Sequence, residues 1–521
     1  MRRMWTADHV RAAEDVLLAR TPEGTLMRRA AYGVALRAVE LLARSTGGVT
    51  GRRVTLLVGA GNNGGDALWA GYELRRRGAR ITAVLLRTDR AHPEGLAAFR
   101  RAHGRVLAAD GRRLGGDRDD DEGGGHSGGH GGGGRNGHGG DGADARTAVR
   151  DADLVIDGVV GISGRGALRA PADALVAEAD EAGVPILAVD LPSGVDPDTG
   201  AVDGPAVTAA ATVTFGARKP VHALAPTRCG PVHLVEFGLT EHLPEPDLVA
   251  LDAVDVATHW PVPGPADDKY TQGVVGVAAG SATYPGAAVL ATGAAVEATS
   301  GMVRFAGSAA DQVRNRWPEV VAAGSVADSG RTQAWTVGPG IGTGSTGRDT
   351  LAAVLERGVP VCLDADAITL IGSTQDLADA ASEVPAVFTP HDREFERIAG
   401  KVGEDRVGAV RRAAVDLRAT VLLKGYVTVV ADPDGRALAH PSNGAWAATA
   451  GSGDVLSGLV GALLAAGLEP WWAAGCAAFV HSRAAEIAAG AGAGPGVPIG
   501  ASALLAAVPE AIREVRRAGS G

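Results

Sequence analysis

Residues 53–66 read Arg53-Val54-Thr55-Leu56-Leu57-Val58-Gly59-Ala60-Gly61-Asn62-Asn63-Gly64-Gly65-Asp66. An apolar strand runs into a glycine-rich turn, and helical spacing continues over Asp66–Arg77 until Gly78. Backbone N–H groups at such a turn bind anions, and the Asp66 carboxylate lies beside them. A second turn of this kind, Ala450-Gly451-Ser452-Gly453-Asp454, opens a helical segment near the other end of the chain. The two turns predict two phosphate-bearing ligands, or one ligand treated twice.

Strand and helix patterns alternate around both turns. This alternation predicts parallel sheets covered by helices on both faces, because parallel strands need crossover helices. The fold class expected is therefore α/β, with two three-layer αβα domains. A proline- and acid-rich section begins at Glu241 and runs to Asp268, so the expected boundaries are residues 1–240 for the first domain, 241–252 for the linker and 253–521 for the second domain.

Composition bounds the function. The chain has 521 residues, too many for one ordinary core, with 45% hydrophobic and 21% charged residues. A net charge of −10 gives no reason to expect nucleic acid or an anionic membrane as partner. The three widely spaced cysteines favour a reducing compartment, and no segment has the length and apolarity of a membrane span. We expect a cytoplasmic protein. The chain has only four lysines, Lys219, Lys269, Lys401 and Lys424, which makes a lysine inside a motif noticeable.

One segment departs from the globular pattern. Residues 110–146 contain mostly Gly, Asp, Arg and His and very few apolar side chains, a composition that predicts a disordered insertion in the first domain. His126, His130 and His138 could chelate a metal, but a surface insertion without chemistry is the favoured interpretation.

The first glycine turn formally matches GxGxxG, which by itself favours a dinucleotide-binding Rossmann domain with Asp89 at a ribose. Two further polar groups follow later strands, Asp157 directly and Ser193 shortly after Asp190. Carboxylate, amide and hydroxyl oxygens at one sheet edge suit a hard monovalent cation such as K⁺. Each residue alone is better explained as a cap or turn residue, but together they favour a site.

These motifs together resemble the NAD(P)H-hydrate epimerase family, whose domain is Rossmann-like. The motifs are residues 61–66, 157–161 and 190–196. The resemblance implies Asp190 as the catalytic acid/base and Asn63, Asp157 and Ser193 as K⁺ ligands. Ala67 stands where the family usually has glycine. The implied substrate contacts are Asn62, Asn63, Gly64, Gly65, Asp66, Gly161, Ile162, Ser163, Gly164, Arg165, Gly166, Ala167 and Asp190.

The second turn has a simple structural explanation, because Asp454 is a good residue for a helix start. It has a chemical one as well: its N–H groups would face a phosphate, while Asp454 takes a proton from the attacking hydroxyl. Two upstream motifs favour the chemical interpretation. Residues 424–428 follow a strand with a lysine and a threonine, and His391 and Glu394 follow another.

With residues 280–288, 338–342 and 364–367, these motifs resemble the ADP-dependent NAD(P)H-hydrate dehydratase family, which has a ribokinase-like fold. Ser452 stands where the family often has threonine. The resemblance implies Asp454 as catalytic base. It implies substrate contacts at Ala287, Gly342, His391 and Asp454, and nucleotide contacts at Lys424, Gly425, Tyr426, Val427, Thr428 and Gly453.

Both halves in this order resemble a bifunctional NAD(P)H-hydrate repair enzyme. Such an enzyme interconverts the R and S forms of NADHX and NADPHX and dehydrates the S form to NAD(P)H. It uses ADP with Mg²⁺ and releases AMP and phosphate. We expect no nucleic-acid or membrane partner and a homo-oligomer. The alternative is a ribokinase-like small-molecule kinase joined to a nucleotide-binding module.

Overall fold

The structure is a computed structural model that describes residues 1–110, 141–299, 301–492 and 494–519. The chain divides into two compact units. The N-terminal unit is Met4–Pro246, and the C-terminal unit combines Met1–Arg3 with Asp247–Gly521. Within the described residues, no helix is long and apolar enough to cross a membrane.

The first strand of the chain is β1 (Arg2–Met4). The N-terminal unit then runs in chain order through the elements α1 (Ala7–Leu18), α2 (Thr25–Thr46), β2 (Arg53–Val58), α3 (Asn62–Arg76), β3 (Arg80–Leu85), α4 (Pro93–Arg101), β4 (Arg105–Ala108), α5 (Asp141–Arg150), β5 (Leu154–Gly158), α6 (Ala172–Glu181), β6 (Ile186–Val189), β7 (Ala211–Phe215), α7 (Val221–Leu224), α8 (Pro226–Cys229) and β8 (Val232–Val235).

Within the described residues, this unit is built on a parallel sheet of order β4-β3-β2-β5-β6-β7-β8. Its strands are rich in Val, Leu and Ile and are buried on both faces, because helices cover each side. The register pairs Leu57 with Asp157 and Val58 with Gly158, so β2 and β5 end side by side. The glycine turn after β2 therefore lies next to the carboxyl end of β5.

The C-terminal unit contains many short elements. They are β9 (Leu248–Ala250), α9 (Ala253–His259), β10 (Val274–Ala278), α10 (Pro285–Ala298), β11 (Met302–Ala306), α11 (Ala310–Arg316), β12 (Val321–Ala323), β13 (Ala334–Val337), α12 (Ser345–Leu355), β14 (Val361–Leu363), α13 (Asp366–Ser373), α14 (Gln375–Ser382), β15 (Ala386–Phe388), α15 (Asp392–Ala399), α16 (Arg406–Leu417), β16 (Thr420–Leu423), β17 (Val427–Ala431), β18 (Ala437–Pro441), α17 (Ser452–Ala465), α18 (Pro470–Ala488) and α19 (Ala501–Gly519).

The sheet of this unit has the order β1-β9-β18-β17-β16-β15-β14-β13-β10-β11-β12 in the described part of the chain. Strands β10 to β16 pair in parallel, whereas β16, β17 and β18 form antiparallel neighbours. Helix α17 lies over the centre of the sheet, where Thr336 Oγ1 of β13 donates a 2.9 Å hydrogen bond to Ser457 O. Gly461 permits this close packing, because a Cβ there would lie 1.9 Å from the same threonine hydroxyl.

The α/β class is confirmed, with a parallel sheet in the N-terminal unit and a mixed sheet in the C-terminal unit, but several predicted bounds differ from the structure. Helix α3 begins at Asn62 rather than Asp66, so both asparagines lie in its first turn. Strand β9 lies inside the predicted linker 241–252, α9 begins directly after it, and the units divide after Pro246. Of the predicted insertion, residues 111–140 with their three histidines lie outside the described residues. Residues 141–146 belong to α5, where the Ala145 side chain is fully buried.

Candidate active sites

In the N-terminal unit, the turn between β2 and α3 brings backbone segments very close together. A Cβ at Gly59 would lie 1.8 Å from Val159 O, and one at Gly64 would lie 2.3 Å from Gly59 O. Gly61 adopts a φ of 86°, which favours glycine. The glycines thus allow the start of α3 to pack onto the turn that follows β5. The side chain of Asn63 becomes buried there, and its amide nitrogen has no hydrogen-bond partner among the residues that the structure describes.

Asp157 and Ser193 meet at the ends of β5 and β6. Ser193 Oγ donates to Asp157 Oδ1 at 2.7 Å, and Ser193 N donates to Asp157 Oδ2 at 2.9 Å. Burial raises the pKa of Asp157 to about 6, although these hydrogen bonds oppose the shift. Gly161 extends the cluster to Asn63, since a Cβ on this glycine would lie 3.1 Å from Asn63 Oδ1. The three residues predicted to hold K⁺ therefore lie in one neighbourhood.

Asp190 directly follows β6 and has an unusual backbone conformation, with a φ of 70°. Its Oδ1 accepts hydrogen bonds from Lys219 Nζ at 2.5 Å and Thr214 Oγ1 at 3.0 Å. The Lys219 side chain is 1% exposed, so this ion pair is shielded from water. Burial disfavours the ionised carboxylate, but the Lys219 charge outweighs it and lowers the pKa of Asp190. Asp190 is therefore held as an anion.

His222 fixes the backbone of this ion pair. Its Nδ1 accepts from Lys219 N at 3.0 Å, so Nε2 carries the hydrogen that is donated to Asp190 O at 3.0 Å. Burial, reinforced by the Lys219 charge, lowers the pKa of His222 to about 3. The imidazole is therefore neutral and ties both ends of the Asp190–Lys219 pair.

Two further carboxyl groups, those of Glu14 and Asp66, interact with Asp190 and have raised pKa values, whereas the pKa of Asp190 is lowered. Burial raises the pKa of Glu14 on α1 to about 7, and the charge of Asp190 adds to the shift. Burial, followed by the charges of Asp190 and Glu14, raises the pKa of Asp66 well above its ordinary range. Carboxyl groups with opposite preferences at one site are characteristic of acid–base chemistry.

The predicted substrate segment 161–167 forms the turn after β5. Arg165 donates to Asp198 Oδ2 at 2.9 Å and to the backbone of Ile162 and Gly164, which closes the segment on itself. Gly166 adopts a φ of 73°. The segment reaches the cluster through Gly161, while the side chain of Arg165 points to the 196–198 turn.

The sequence interpretation overlooked four side chains of this site: Glu14, Thr214, Lys219 and His222. Lys219 carried a usable signal, because it is one of four lysines in the chain and lies shortly after the apolar run that forms β7. Glu14 carried none, since it is one acidic residue among several on an amphipathic helix.

In the C-terminal unit, α17 begins directly after Gly451, which adopts a φ of 87°. Asp454 lies in the first turn, where the helix dipole favours negative charge. Burial nevertheless raises the pKa of Asp454 to about 7; the charge of Asp364 adds to the shift and Lys424 opposes it. Gly451 is the N-cap residue, and no side chain of the described residues caps this helix, so Asp454 is not acting as an N-cap.

Lys424 faces the same helix start from the end of β16. Its Nζ lies 2.8 Å from Asp364 Oδ1 and 3.6 Å from Glu394 Oε2. Burial disfavours the ammonium form, but these carboxylates outweigh it and raise the pKa of Lys424. Gly453 borders the pair, because a Cβ there would lie 3.4 Å from Lys424 Nζ. The predicted nucleotide contacts Lys424 and Gly453 are thus neighbours.

The other predicted nucleotide contacts form the hairpin between β16 and β17. Arg406 Nη2 fixes its first residue by donating to Lys424 O at 2.7 Å. The Tyr426 side chain is 43% exposed, whereas the Val427 side chain is buried in the sheet. Val427 can therefore offer a ligand only its backbone. Thr428 pairs with His440 on β18.

The predicted substrate contacts lie at the ends of neighbouring strands. His391 caps α15, its Nδ1 accepting from Arg393 N and Glu394 N, and its side chain is half exposed. Gly342 N donates to Asp366 Oδ2 at 2.8 Å. Ala287 lies beside Gly340, two residues before Gly342: a Cβ on Gly340 would be 3.2 Å from Ala287 Cβ.

One overlooked residue supports the second glycine turn from behind. His481 on α18 places Nε2 2.9 Å from Ser452 O, and burial lowers the pKa of His481 to about 4. Among the described residues, no group of three or more His, Cys, Asp or Glu side chains has the arrangement of a metal site.

Family models match both halves of the chain. Residues 23–221 match the model described as YjeF-related protein N-terminus, and residues 275–498 match the model described as NAD(P)H-hydrate dehydratase. The chain is 52% identical over 514 residues to the bifunctional NAD(P)H-hydrate repair enzyme Nnr of Mycobacterium leprae, covering 98% of this chain and 99% of the relative. It is 53% identical over 469 residues to the same-named enzyme of Mycobacterium tuberculosis (strain ATCC 25618 / H37Rv), covering 90% of each chain.

A solved structure, an ADP/ATP-dependent NAD(P)H-hydrate dehydratase from Bacillus subtilis co-crystallized with ATP/Mg²⁺, is 25% identical with a TM-score of 0.46. It covers 51% of this chain and 99% of its own. The matches to the repair enzymes span both halves of the chain and confirm the resemblance on which the site predictions rest. The chain belongs to the family of bifunctional NAD(P)H-hydrate repair enzymes.

Proposed function

We propose that the chain repairs hydrated NAD(P)H in two steps at two sites. The N-terminal unit interconverts the R and S forms of NADHX and NADPHX. The C-terminal unit dehydrates the S form at the expense of ADP and releases NAD(P)H, AMP and phosphate. The observation that supports this best is the contrast between two carboxyl groups. Lys219 stabilises Asp190 as an anion, whereas the pKa of Asp454 is raised to about 7.

The hydrated ring carries a hydroxyl group on a carbon next to nitrogen. This carbon can lose and regain the hydroxyl group with assistance from the nitrogen lone pair. Asp190 acts as the acid/base beside it, and its fixed negative charge stabilises the cationic ring that forms when the hydroxyl group leaves. The glycine-rich N-terminus of α3 receives the phosphates of the dinucleotide, as such helix ends do.

The Asn63, Asp157 and Ser193 cluster fits a K⁺ ion. It offers carboxylate, amide and hydroxyl oxygens, and its buried carboxyl group has a raised pKa, which a bound cation would reverse. The ion would supply positive charge close to the phosphates of the substrate. The structural role of these side chains is to position the turns after β5 and β6.

In the C-terminal unit, Asp454 takes the proton from the ring hydroxyl group as it attacks the terminal phosphate of ADP. The N–H groups at Ser452 and Gly453 face the transferred phosphoryl group, and Lys424 contributes positive charge. Phosphate then leaves far more readily than hydroxide, and NAD(P)H is regenerated. The hydrated ring lies near Ala287, Gly342 and His391, and the nucleotide lies along residues 424–428.

Mg²⁺ would enter this site with the nucleotide. Asp364 and Glu394 are both engaged with Lys424, which leaves the phosphates as the main ligands, an arrangement that is usual for this ion. Bound there, it would neutralise charge on the phosphates during transfer.

The decisive experiment follows nicotinamide absorbance during incubation of an R/S mixture of hydrated NADH with ADP and Mg²⁺. The full chain should restore the absorbance of the whole mixture, because epimerisation feeds the dehydratase. The Asp190→Asn variant should restore, at the enzymatic rate, only the part of the absorbance that comes from the S form. A kinase with a stable phosphorylated product would leave the absorbance unrestored, which would overturn the proposal.

The cytoplasmic location and the homo-oligomeric state are part of the same proposal. Cell fractionation tests the first, and light scattering on the eluting full chain tests the second. A monomer at micromolar concentration would contradict the expectation of an oligomer.

A further inference from the structure

The Lys219 ammonium group, which contacts Asp190 directly, is fully engaged there. The Lys219 ammonium group has three hydrogens to donate. They are directed to Asp190 Oδ1 at 2.5 Å, Thr214 Oγ1 at 2.9 Å and Phe215 O at 3.4 Å. Lys219 therefore has no donor left for a second carboxylate at this site.

Asp66 is such a second carboxyl group. Its side chain is 7% exposed, and its buried Oδ1 has no hydrogen-bond partner within the described part of the chain. The charges that act on it are those of the Asp190 carboxylate and of Glu14 in its ionised form, and both are negative. An ionised carboxylate in this position would be buried, unpaired and repelled, so the neutral acid is strongly favoured.

The side chains next to Gly65, the residue before Asp66, bring no compensating positive charge. On its own helix, Gly65 packs against the ring of His92, which begins α4 and whose Nδ1 accepts from Gly95 N. A Cβ on Gly65 would also lie 3.1 Å from Cε of Met27 on α2, a side chain that carries no charge. On α1, Arg11 is paired with Asp8 in an exposed ion pair, where solvent screens its charge.

We propose that Asp66 is the proton donor of the N-terminal site, a neutral carboxylic acid that works with the Asp190 carboxylate, and that Glu14 keeps it protonated. The inference rests on the epimerase function proposed above and assigns the two halves of its acid–base chemistry. Asp66 is the acid, Asp190 is the base, and Glu14 is a positioning residue that acts through Asp66.

The proton balance of the reaction follows directly. Asp66 gives its proton to the ring hydroxyl group, the carbon–oxygen bond breaks, and water leaves while the nitrogen lone pair forms a carbon–nitrogen double bond. A water molecule then adds to the other face of the ring, forming a new carbon–oxygen bond, and Asp190 takes the proton that this water loses. Solvent returns the proton from Asp190 to Asp66, so the enzyme is unchanged and the substrate is epimerised.

The first test is Asp66→Asn, which keeps the shape of the side chain but cannot supply a proton. Interconversion of purified R-NADHX is followed by chromatography without ADP, with the spontaneous rate subtracted. We expect the enzymatic rate to fall by about 100-fold or more, the usual contribution of a general acid. Dehydration of S-NADHX with ADP should stay unchanged in the same variant, which controls for the integrity of the chain.

The second test uses charge removal at Glu14. In Glu14→Gln, the proton on Asp66 is held less tightly, so the high-pH limb of kcat/KM for epimerisation should move to lower pH by about half a unit or more, since a like charge has been removed. Asp15→Asn is the matched control: it removes the same charge from an exposed position on the same helix and should leave the limb in place.

A measurement on the resting enzyme makes the outcome independent of turnover. The infrared difference spectrum of wild type against Asp66→Asn at neutral pH should contain the band of a protonated carboxyl group. Absence of this band, or an Asp66→Asn rate within threefold of wild type, would overturn the proposal. Absence of epimerisation by the wild type, with the band present, would instead overturn the proposed function and leave the protonation of Asp66 intact.

Discussion

Lys219 Nζ and Asp190 Oδ1 lie 2.5 Å apart in a part of the N-terminal unit where the lysine is 1% exposed. A buried ion pair of this kind is costly to break, since removing one partner leaves the other charged without compensation. The same ion pair therefore stabilises the fold of this unit and keeps Asp190 ionised at the candidate site.

Lys219→Met should destabilise the N-terminal unit by about 3–5 kcal/mol at neutral pH, the typical effect of leaving one charge of a buried pair. Chemical denaturation followed by circular dichroism measures it. The double variant Lys219→Met/Asp190→Leu should recover much of this loss, because no charge remains buried. A single variant as stable as wild type would show that the pair contributes nothing.

The same pair has a defined pH dependence. The pKa of Asp190 is lower in the folded chain than in the unfolded chain, so its contribution to stability is present above the unfolded value and is lost as pH falls through the folded value. In Lys219→Met this sign should reverse, since burial alone raises the pKa of Asp190. The unfolding free energy of the variant, relative to wild type, should then improve on acidification.

Asp454→Asn should lower dehydration by about 100- to 10,000-fold, the range expected for loss of a general base. Folding should be nearly unchanged, because Asp454 caps no helix. Thermal unfolding and the ADP-dependent recovery of nicotinamide absorbance measure the two effects. A variant with lowered thermal stability but wild-type turnover would mean that Asp454 only supports the helix start.

The pH profile of wild-type dehydration provides a second check on Asp454. With its pKa raised to about 7, kcat/KM should increase as pH rises through about that value and then level off. His481 has a pKa lowered to about 4, so it stays neutral over this range, and His481→Gln should keep the same limb. If His481→Gln lost this limb, the titration would belong to His481 and not to Asp454.

Gly453→Ala should weaken nucleotide binding without damage to the fold. The new methyl group would lie 3.4 Å from Lys424 Nζ and 3.8 Å from Asp364 Oδ2, which leaves room in the chain but occupies space at the ion pair. We expect the KM for ADP to rise at least tenfold, corresponding to about 1.4 kcal/mol. Gly324→Ala, which has open space around it, is the matched control and should behave as wild type.

Ser193→Ala should raise the K⁺ concentration needed for half-maximal epimerisation. It removes the hydroxyl group that donates to Asp157 Oδ1 and accepts from Val160 N. ADP-dependent dehydration of the S form should not respond. An epimerisation rate that is equal in K⁺ and in a bulky organic cation, for both proteins, would contradict the assignment of a K⁺ site.

The strand-end residues could be predicted because parallel strands carry them to one edge, as the adjacent ends of β2 and β5 show for Asp157. Lys219 and Glu14 could not be predicted in the same way. Their roles depend on which elements fold over the sheet edge, and the spacing of charges on α1 does not specify this. Short strands such as β9 and β18 were also missed, since three to five residues carry too little periodic signal.

Strand β1 has a practical consequence for dissecting the molecule. Residues Arg2–Met4 form the outermost strand of the sheet that otherwise belongs to residues 247–519, next to β9. A C-terminal fragment starting at 247 would therefore expose the hydrogen-bonding edge of β9, a known route to aggregation. A fragment ending at residue 240 would remove Pro244, whose carbonyl accepts from Trp5 Nε1 at 2.8 Å. In sequence, the segment that forms the first unit is nested inside the second, so expressing either half alone calls for cuts on both sides of residues 4–246.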